Sequence, residues 1–320
     1  MSTEDSSPLV SVVVPFLDPD PGFLAEAIES VAAQRFREWE LLLVNDGSGP
    51  AATEAAERHA GHDPDRIRLL EHPGRENRGV PAARNLGIAE ARGEFVAFLD
   101  ADDVWLPGRL GAHLALLEAH PRAAMVFGSS LYWSSWHPQG SEDFIPPLNL
   151  GLGTLLEPPT LLLHLLRGEG AVPCPTSITC RTEPVLRVGG FVEDFPVPTE
   201  DQAFFMRLLM EYPAIACGEV LDRYRQHPES ATGSASAAEE ARWRRVLLDW
   251  TEELAHDHSG SNPQIIRAIR RERWALDHPR GARVLRTARR LQRRLKPSHP
   301  EPQMPPERNE GPAPSGADPS

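Results

Sequence analysis

Residues 93–103 of the chain are GEFVAFLDADD, an apolar stretch that stops at the carboxylates Asp100, Asp102 and Asp103. The apolar part predicts a buried strand, and burying a carboxylate at its end costs several kcal/mol unless the group is paired or coordinated. Mg²⁺ and Mn²⁺ prefer one or two carboxylates together with the oxygens of a substrate diphosphate. The stretch therefore predicts a metal-bound phosphate site, and the alternative is a solvated aspartate-rich turn.

The segments before this stretch alternate between predicted strands and helices. Short β-branched or leucine-rich runs predict strands at residues 10–16, 40–44 and 67–70. The residues between them predict helices at 21–32, 51–60 and 81–91. This order predicts an α/β fold with a doubly wound, mainly parallel sheet.

Three separated positions follow the predicted strands at the same edge of that sheet. Pro15, Asp46 and Asp100 each lie at the carboxyl end of a strand. Because ligands of doubly wound sheets bind outside those ends, we expect the three positions to converge on one crevice.

Six groups of short motifs follow one another along the chain. They are Val10–Pro15; Asn45-Asp46-Gly47-Ser48; Asn77-Arg78-Gly79 with Ala83–Ile88; Phe98–Asp103; Gly189-Gly190-Phe191 with Thr199–Phe204; and Tyr224–Ser230. In this order they resemble the motif set of the family 2 glycosyltransferases, over roughly residues 9–231. The resemblance implies the GT-A fold, a Rossmann-like, mainly parallel sheet flanked by helices.

The resemblance also implies which residues bind a nucleotide-sugar donor. Asp46 would hydrogen-bond the uracil of a UDP-sugar, and the backbone of Pro15 would line the same pocket. Asp102 resembles the main ligand of Mn²⁺ or Mg²⁺ in an Asp-x-Asp motif, and Asp100 resembles its partner, which holds the ribose or the metal through water. His227 lies where many relatives carry a histidine near the diphosphate, and we assign it to the metal; without the resemblance it is a surface-loop histidine.

Sugar transfer to an alcohol requires a proton to be removed from the nucleophile. The resemblance implies that Asp201 is this general base, with Glu200 beside it to orient the acceptor or the helix. A base and a leaving group on opposite faces of the sugar would invert the anomeric centre in one displacement. The alternative is that both acidic residues only favour the amino terminus of the helix that carries Phe204 and Leu208.

Arg84 lies in the predicted helix at 81–91 and is a candidate for donor binding. A guanidinium suits bidentate contacts with phosphate oxygens, and Arg78 and Arg84 would offset the charge of the aspartates. The alternatives for Arg84 are packing against the edge of the sheet or an ion pair with an aspartate.

The chain departs from the family pattern in several ways that bear on function. Asn45 replaces the first aspartate of the usual pair, and Phe16-Leu17-Asp18 stands where a Tyr-Asn pair is common. The absence of a Gln-x-x-Arg-Trp motif argues against a processive synthase and favours transfer of a single sugar to a glycan, a lipid-linked intermediate or a small molecule. A non-catalytic sugar-binding protein of the same fold is one alternative. A sugar-1-phosphate nucleotidyltransferase is another, although the acidic segment Leu17–Asp20 replaces the basic loop that such an enzyme needs.

The composition of the chain argues against several other classes of function and location. The 320 residues carry a net charge of -13, which disfavours nucleic-acid binding. The three cysteines show no metal-ligand spacing, and no secretory signal or spanning segment is found, so a cytoplasmic location is expected.

The sequence predicts four regions. Residues 1–8 are a disordered amino terminus, 9–235 the GT-A domain, 236–296 a helical extension and 297–320 a disordered proline-rich tail. The arginine-rich stretch Pro263–Leu295 predicts a helix that covers the domain or, alternatively, contacts an anionic membrane at its inner face. Trp133 and Trp136 are expected to stack on an acceptor or to pack in the protein.

Overall fold

The computed structural model describes residues 8–195, 198–227, 236–257, 262–280 and 301–305. Within these residues the strands are β1 (Val10–Phe16), β2 (Trp39–Asn45), β3 (Ile67–Glu71), β4 (Phe95–Phe98), β5 (Val104–Trp105), β6 (Met125–Phe127), β7 (Leu131–Trp133), β8 (Leu155–Leu156), β9 (Ile178–Arg181), β10 (Ala214–Ala216) and β11 (Asp222–Arg225). The helices are α1 (Pro21–Ala32), α2 (Pro50–His62), α3 (Val80–Glu90), α4 (Arg109–Ala119), α5 (Thr160–Leu166), α6 (Thr182–Arg187), α7 (Glu200–Glu211), α8 (Ala237–Asp257) and α9 (Pro263–Asp277).

Eight strands form one sheet in the order β3-β2-β1-β4-β9-β6-β10-β8. Strands β1 to β4 are parallel to their neighbours among themselves, and β10 is parallel to β6. Strand β9 runs antiparallel between β4 and β6, and β8 is an antiparallel edge strand. The prediction of a mainly parallel α/β sheet is therefore confirmed, with these two reversals added. A second sheet has the order β5-β11-β7.

Helices cover both faces of the large sheet, because alternate residues of a strand point to opposite faces. Val12 and Val14 of β1 face a core that includes apolar residues of α1, α2 and α4, among them Leu24, Ile28, Ala52, Ala56, Leu110 and Leu114. Val13 faces a second core, which includes residues of α3, α5, α7, α8 and α9, among them Ala83, Leu162, Phe204, Leu208, Leu247 and Ile269. The strands are thus buried on both faces, as their continuous apolar sequences predict.

Local signals in the sequence fix the helix starts and the closest helix contact. Asp20 accepts hydrogen bonds from the backbone N–H groups of Gly22 and Phe23, so that α1 begins at Pro21 with a capped amino terminus. Helix α3 lies so close to β1 that a Cβ at Gly87 would be 2.4 Å from a methyl group of Val13. Only glycine fits this contact between α3 and β1.

The carboxyl-terminal helices pack on the domain, and the second has a break at His278. Ile265 and Ile269 of α9 are buried in the second core, which agrees with the covering role, whereas Trp274 is exposed. Helix α9 ends at Asp277, two residues before Pro279, so the helical stretch predicted over Pro263–Leu295 is interrupted at His278. Residues 281–300, with the later arginines of the stretch predicted to contact a membrane, lie outside the described residues.

Residues 301–305 differ from the predicted disordered tail. Gln303 pairs with the segment before β11: its N–H donates to the carbonyl of Gly218 at 3.0 Å, and its carbonyl accepts from Val220 at 2.9 Å. Residues 1–7 and 306–320, also predicted to be disordered, lie outside the described part of the chain. No helix within that part is long and apolar enough to cross a membrane.

Candidate functional site

The three aspartates after β4 have different surroundings. Asp103 is fully buried and accepts hydrogen bonds from the Thr176 hydroxyl at 2.6 Å and from the N–H of Arg225 at 2.9 Å. Burial, with the charges of Asp102 and Asp100, raises the pKa of Asp103 well above its ordinary value. Asp103 therefore anchors the turn that carries the other two aspartates.

Asp102 points outward and meets His227. One Oδ of Asp102 lies 2.8 Å from Nε2 of His227, and the Asp102 side chain is one-third exposed (33%). A carboxylate and an imidazole suit Mn²⁺, and magnesium-type sites at phosphates use only one or two protein ligands. No group of three or more His, Cys, Asp or Glu side chains in the described residues could hold a metal by itself. The donor set thus fits a cation that also binds a ligand's phosphates.

Asp100 is joined to the start of α7 by Arg84. The guanidinium of Arg84 lies 2.8 Å from Asp100 and 3.2 Å from Glu200, and its side chain is only 4% exposed. Burial alone lowers the pKa of Arg84, but the charges of Asp100 and Glu200 outweigh it, so the pKa is raised. The structure therefore agrees with the ion-pair alternative for Arg84, and its direct contact with a phosphate stays a prediction.

Asp201 follows Glu200 in the first turn of α7. Burial, with the neighbouring charge of Glu200, raises the pKa of Asp201 to about 8, although Arg84 acts in the opposite direction. The charge of Asp100 also contributes to this pKa, so Asp201 is within electrostatic range of the aspartate turn. A carboxyl group that titrates near neutral pH is suited to general-base chemistry.

Asp46 is buried directly after β2. Its two oxygens accept hydrogen bonds from the N–H groups of Arg78 at 2.8 Å and Gly79 at 2.9 Å, and its side chain is 3% exposed. Pro15 is buried in β1 beside Val44 of β2. In this structure Asp46 fixes the turn before α3, and the contact of Asp46 and Pro15 with a base stays a prediction.

The departure at Asn45 has a physical explanation. Its amide nitrogen donates to Glu71 at 2.9 Å and to the Thr53 hydroxyl at 3.0 Å, and its amide oxygen accepts from Ser48. An aspartate could not donate to Glu71 and would repel it. Asn45 therefore stabilises the carboxyl ends of β2 and β3.

Two motifs that are distant in sequence meet at Asn85. Its side-chain amide donates to the carbonyl of Phe191 at 2.9 Å and accepts from the N–H of Phe191 at 2.8 Å. The Phe191 ring stacks on Phe204 of α7, with centroids 4.4 Å apart. This contact attaches α7, which carries Glu200 and Asp201, to α3.

Sequence reasoning assigned no role to Thr176 or Arg225. The Thr176 hydroxyl accepts from the N–H of Asp100 at 3.2 Å while it donates to Asp103, and no pattern around it predicts this. Arg225 donates to the carbonyl of Asp102 at 2.6 Å; its position two residues before His227 was the available signal. Trp133 and Trp136 both lie against the guanidinium of Arg225, which supports their packing alternative.

Comparisons with known proteins agree with this architecture. The family model described as Glycosyl transferase family 2 matches residues 11–160. The putative glycosyltransferase EpsE of Bacillus subtilis is 32% identical over 137 residues, which are 43% of this chain and 48% of EpsE. The chain spans less than half the length of the curated relatives it matches.

Two solved structures have a similar fold. S. aureus TarS 1-349 in complex with UDP-GlcNAc has a TM-score of 0.57 and 18% identity, over 75% of this chain and 65% of that one. The mannosyltransferase PcManGT from Pyrobaculum calidifontis, in complex with GDP-Man and Mn²⁺, has a TM-score of 0.57 and 21% identity, over 89% of this chain and 76% of that one. The match over residues 11–160 and the six groups of ordered motifs make the chain similar to the family 2 glycosyltransferases, and the likenesses to the two solved structures show the GT-A fold.

Proposed function

We propose that this chain transfers a single sugar from a nucleotide-diphosphate sugar, UDP-linked, to an acceptor hydroxyl with inversion at the anomeric carbon. The observation that carries the proposal is the Arg84 bridge between Asp100 and Glu200. Through it the aspartate turn after β4 and the start of α7 belong to one charged cluster. A phosphate-binding group and a carboxyl group suited to act as a base therefore border the same site.

The donor is proposed to bind with its diphosphate at Asp102 and His227. These two side chains would hold Mn²⁺ or Mg²⁺, which supplies charge neutralisation for the leaving diphosphate when bound. Arg84, buried between two carboxylates, would keep Asp100 oriented toward the ribose or the metal's water. The complexes of TarS with UDP-GlcNAc and of PcManGT with GDP-Man and Mn²⁺ support the class of donor.

Asp201 is proposed to accept the proton of the acceptor hydroxyl. The C–O bond to the acceptor forms as the bond to the diphosphate breaks, and the hydroxyl proton moves to the Asp201 carboxylate. Proton transfer to a positioned base contributes about 10²- to 10⁴-fold to a rate. Glu200 is proposed to hold the first turn of α7 through Arg84, so that Asp201 keeps its orientation.

The acceptor is proposed to be a glycan, a lipid-linked intermediate or a small-molecule alcohol. Tyr132 of β7 contacts the rings of Phe144 and Tyr224, and its pKa is raised to about 12 by burial, with smaller contributions from charges that include Asp201 and Asp103. This group of aromatic rings would stack on a sugar ring of the acceptor.

Hydrolysis of UDP-sugars in the absence of an acceptor tests the proposal. We expect UDP release by the wild-type chain to require Mn²⁺. Its rate should fall more than about 100-fold in Asp102→Asn. It should fall about 10²- to 10⁴-fold in Asp201→Asn, which should still bind UDP. Asp63→Asn, on a surface carboxylate that pairs with Arg66 at 3.9 Å, is the matched control and should hydrolyse like wild type. Equal rates of UDP release in wild type and Asp102→Asn, or UDP release without added metal, would contradict the proposed metal site. A fully active Asp201→Asn variant would show that Asp201 is not the general base.

A further inference from the structure

Arg225, the last residue of β11, is a buried guanidinium inside a group of aromatic rings. Arg225 is 2% exposed, and its Cζ lies 4.1 Å from the ring centroid of Phe23, 4.5 Å from that of Trp133 and 5.1 Å from that of Trp136. A cation over the faces of partly buried aromatic rings is held by their quadrupoles. The side chain therefore has little freedom to move.

The same residue is attached to the aspartate turn by both side chain and backbone. Nε of Arg225 donates to the carbonyl of Asp102 at 2.6 Å, and its backbone N–H donates to the Asp103 carboxylate at 2.9 Å. At the outer end, Nη2 pairs with Glu26 of α1 at 2.5 Å. Arg225 thus connects the turn to α1 as well as to β11.

His227 lies two residues beyond this attachment. The intervening Gln226 is held as well, because its carbonyl accepts a hydrogen bond from Nε1 of Trp136 at 3.0 Å. The backbone around Asp102 and the backbone leading to His227 are therefore both fixed to one guanidinium and its aromatic neighbours. Asp102 and His227, whose side chains are 2.8 Å apart, both lie next to that attachment.

We propose that Arg225 is a positioning residue that sets the distance between Asp102 and His227 for a divalent cation. The inference rests on the proposed function, because it concerns the same pair of ligands, but Arg225 itself touches neither metal nor sugar. A lysine could not replace it, since a single ammonium group cannot bond the carbonyl and Glu26 and also spread across three rings. Outer partners that orient metal ligands typically change metal affinity about 10- to 100-fold when they are removed.

The test is the dissociation constant of Mn²⁺, measured by the electron paramagnetic resonance signal of free Mn²⁺ with UDP present. Arg225→Met keeps the length and apolar contacts of the side chain and removes its donors; we expect Mn²⁺ to bind about 10- to 100-fold more weakly. Glu26→Gln removes only the outer ion pair, and we expect about two- to five-fold weaker binding. Arg66→Met is the matched control, because Arg66 also covers a ring, that of Trp39 at 3.4 Å, and donates to backbone carbonyls. Its Mn²⁺ affinity should equal that of wild type.

The outcomes separate this inference from the proposed function. A folded Arg225→Met that binds Mn²⁺ within about twofold of wild type would overturn the positioning role while leaving the metal site in place. If Arg225→Met does not fold, Glu26→Gln decides: weaker Mn²⁺ binding supports the role, and unchanged binding overturns it. A wild-type chain that binds UDP but no Mn²⁺ would overturn the proposed metal site itself, and the inference with it.

Discussion

The raised pKa of Asp201 predicts an unusual pH dependence for the reaction. A base with a pKa of about 8 is ionised in about one molecule in ten at pH 7 and in about nine in ten at pH 9. Because only the ionised form accepts a proton, kcat/KM for hydrolysis of a UDP-sugar should rise about tenfold between these pH values. The rise is read from kcat/KM because that ratio reports the pKa values of the free enzyme.

The cause of the shift can be tested with Glu200→Gln. This change removes a neighbouring negative charge that raises the pKa of Asp201 and leaves burial as the main remaining cause. The rise of kcat/KM with pH should occur at lower pH in Glu200→Gln and should be absent in Asp201→Asn. A rise near pH 8 that persists in Asp201→Asn would refute the assignment, and an unchanged rise in Glu200→Gln would refute the electrostatic explanation.

The fold and its buried charges support further predictions, each measured by urea unfolding. Gly87→Ala should lower the free energy of unfolding by about 1–3 kcal/mol, because the added methyl group would overlap Val13. Gly111→Ala should instead raise the free energy of unfolding by about 0.5–1 kcal/mol, because Gly111 lies in a helix and has open space around it. Arg84→Met should lower it by about 3–5 kcal/mol, because two carboxylates lose their common partner; a loss below about 1 kcal/mol would mean that the bridge is not a significant contributor to stability. Burial raises the pKa of Asp222 from 3.8 to about 6, so the native state keeps a proton that the unfolded state has lost, and stability should fall as pH rises from about 4 to 6. Asp222→Asn should remove part of this decrease in stability. If the variant and the wild type show the same pH dependence of stability, Asp222 is not its cause.

The amino-terminal half of the fold was predictable because its strands are buried on both faces and therefore appear as continuous apolar runs. Helix α2 begins at Pro50 and α3 at Val80, each one residue before the predicted start. Strand β9 was not predicted, since Ile178–Arg181 is short and forms a strand by antiparallel pairing with β4 and β6. The end of α9 was available in the sequence, because Pro279 marks it.

The candidate site was predictable as a set of residue types and less so as a set of contacts. Asp102 and Asp103 are adjacent and chemically identical, yet one points outward and the other is buried against Thr176. That difference depends on a partner more than seventy positions away. The ion pair of Arg225 with Glu26 joins residues 199 positions apart, and no local pattern encodes it.

A crystal structure of the chain with UDP and Mn²⁺ tests the proposed site as a whole. We expect Mn²⁺ to be bound to Asp102, His227 and the diphosphate, and the Asp201 carboxylate to face the position of the anomeric carbon from the side opposite the diphosphate. Mn²⁺ bound elsewhere, or Asp201 directed away from the space beside the diphosphate, would contradict the proposed site.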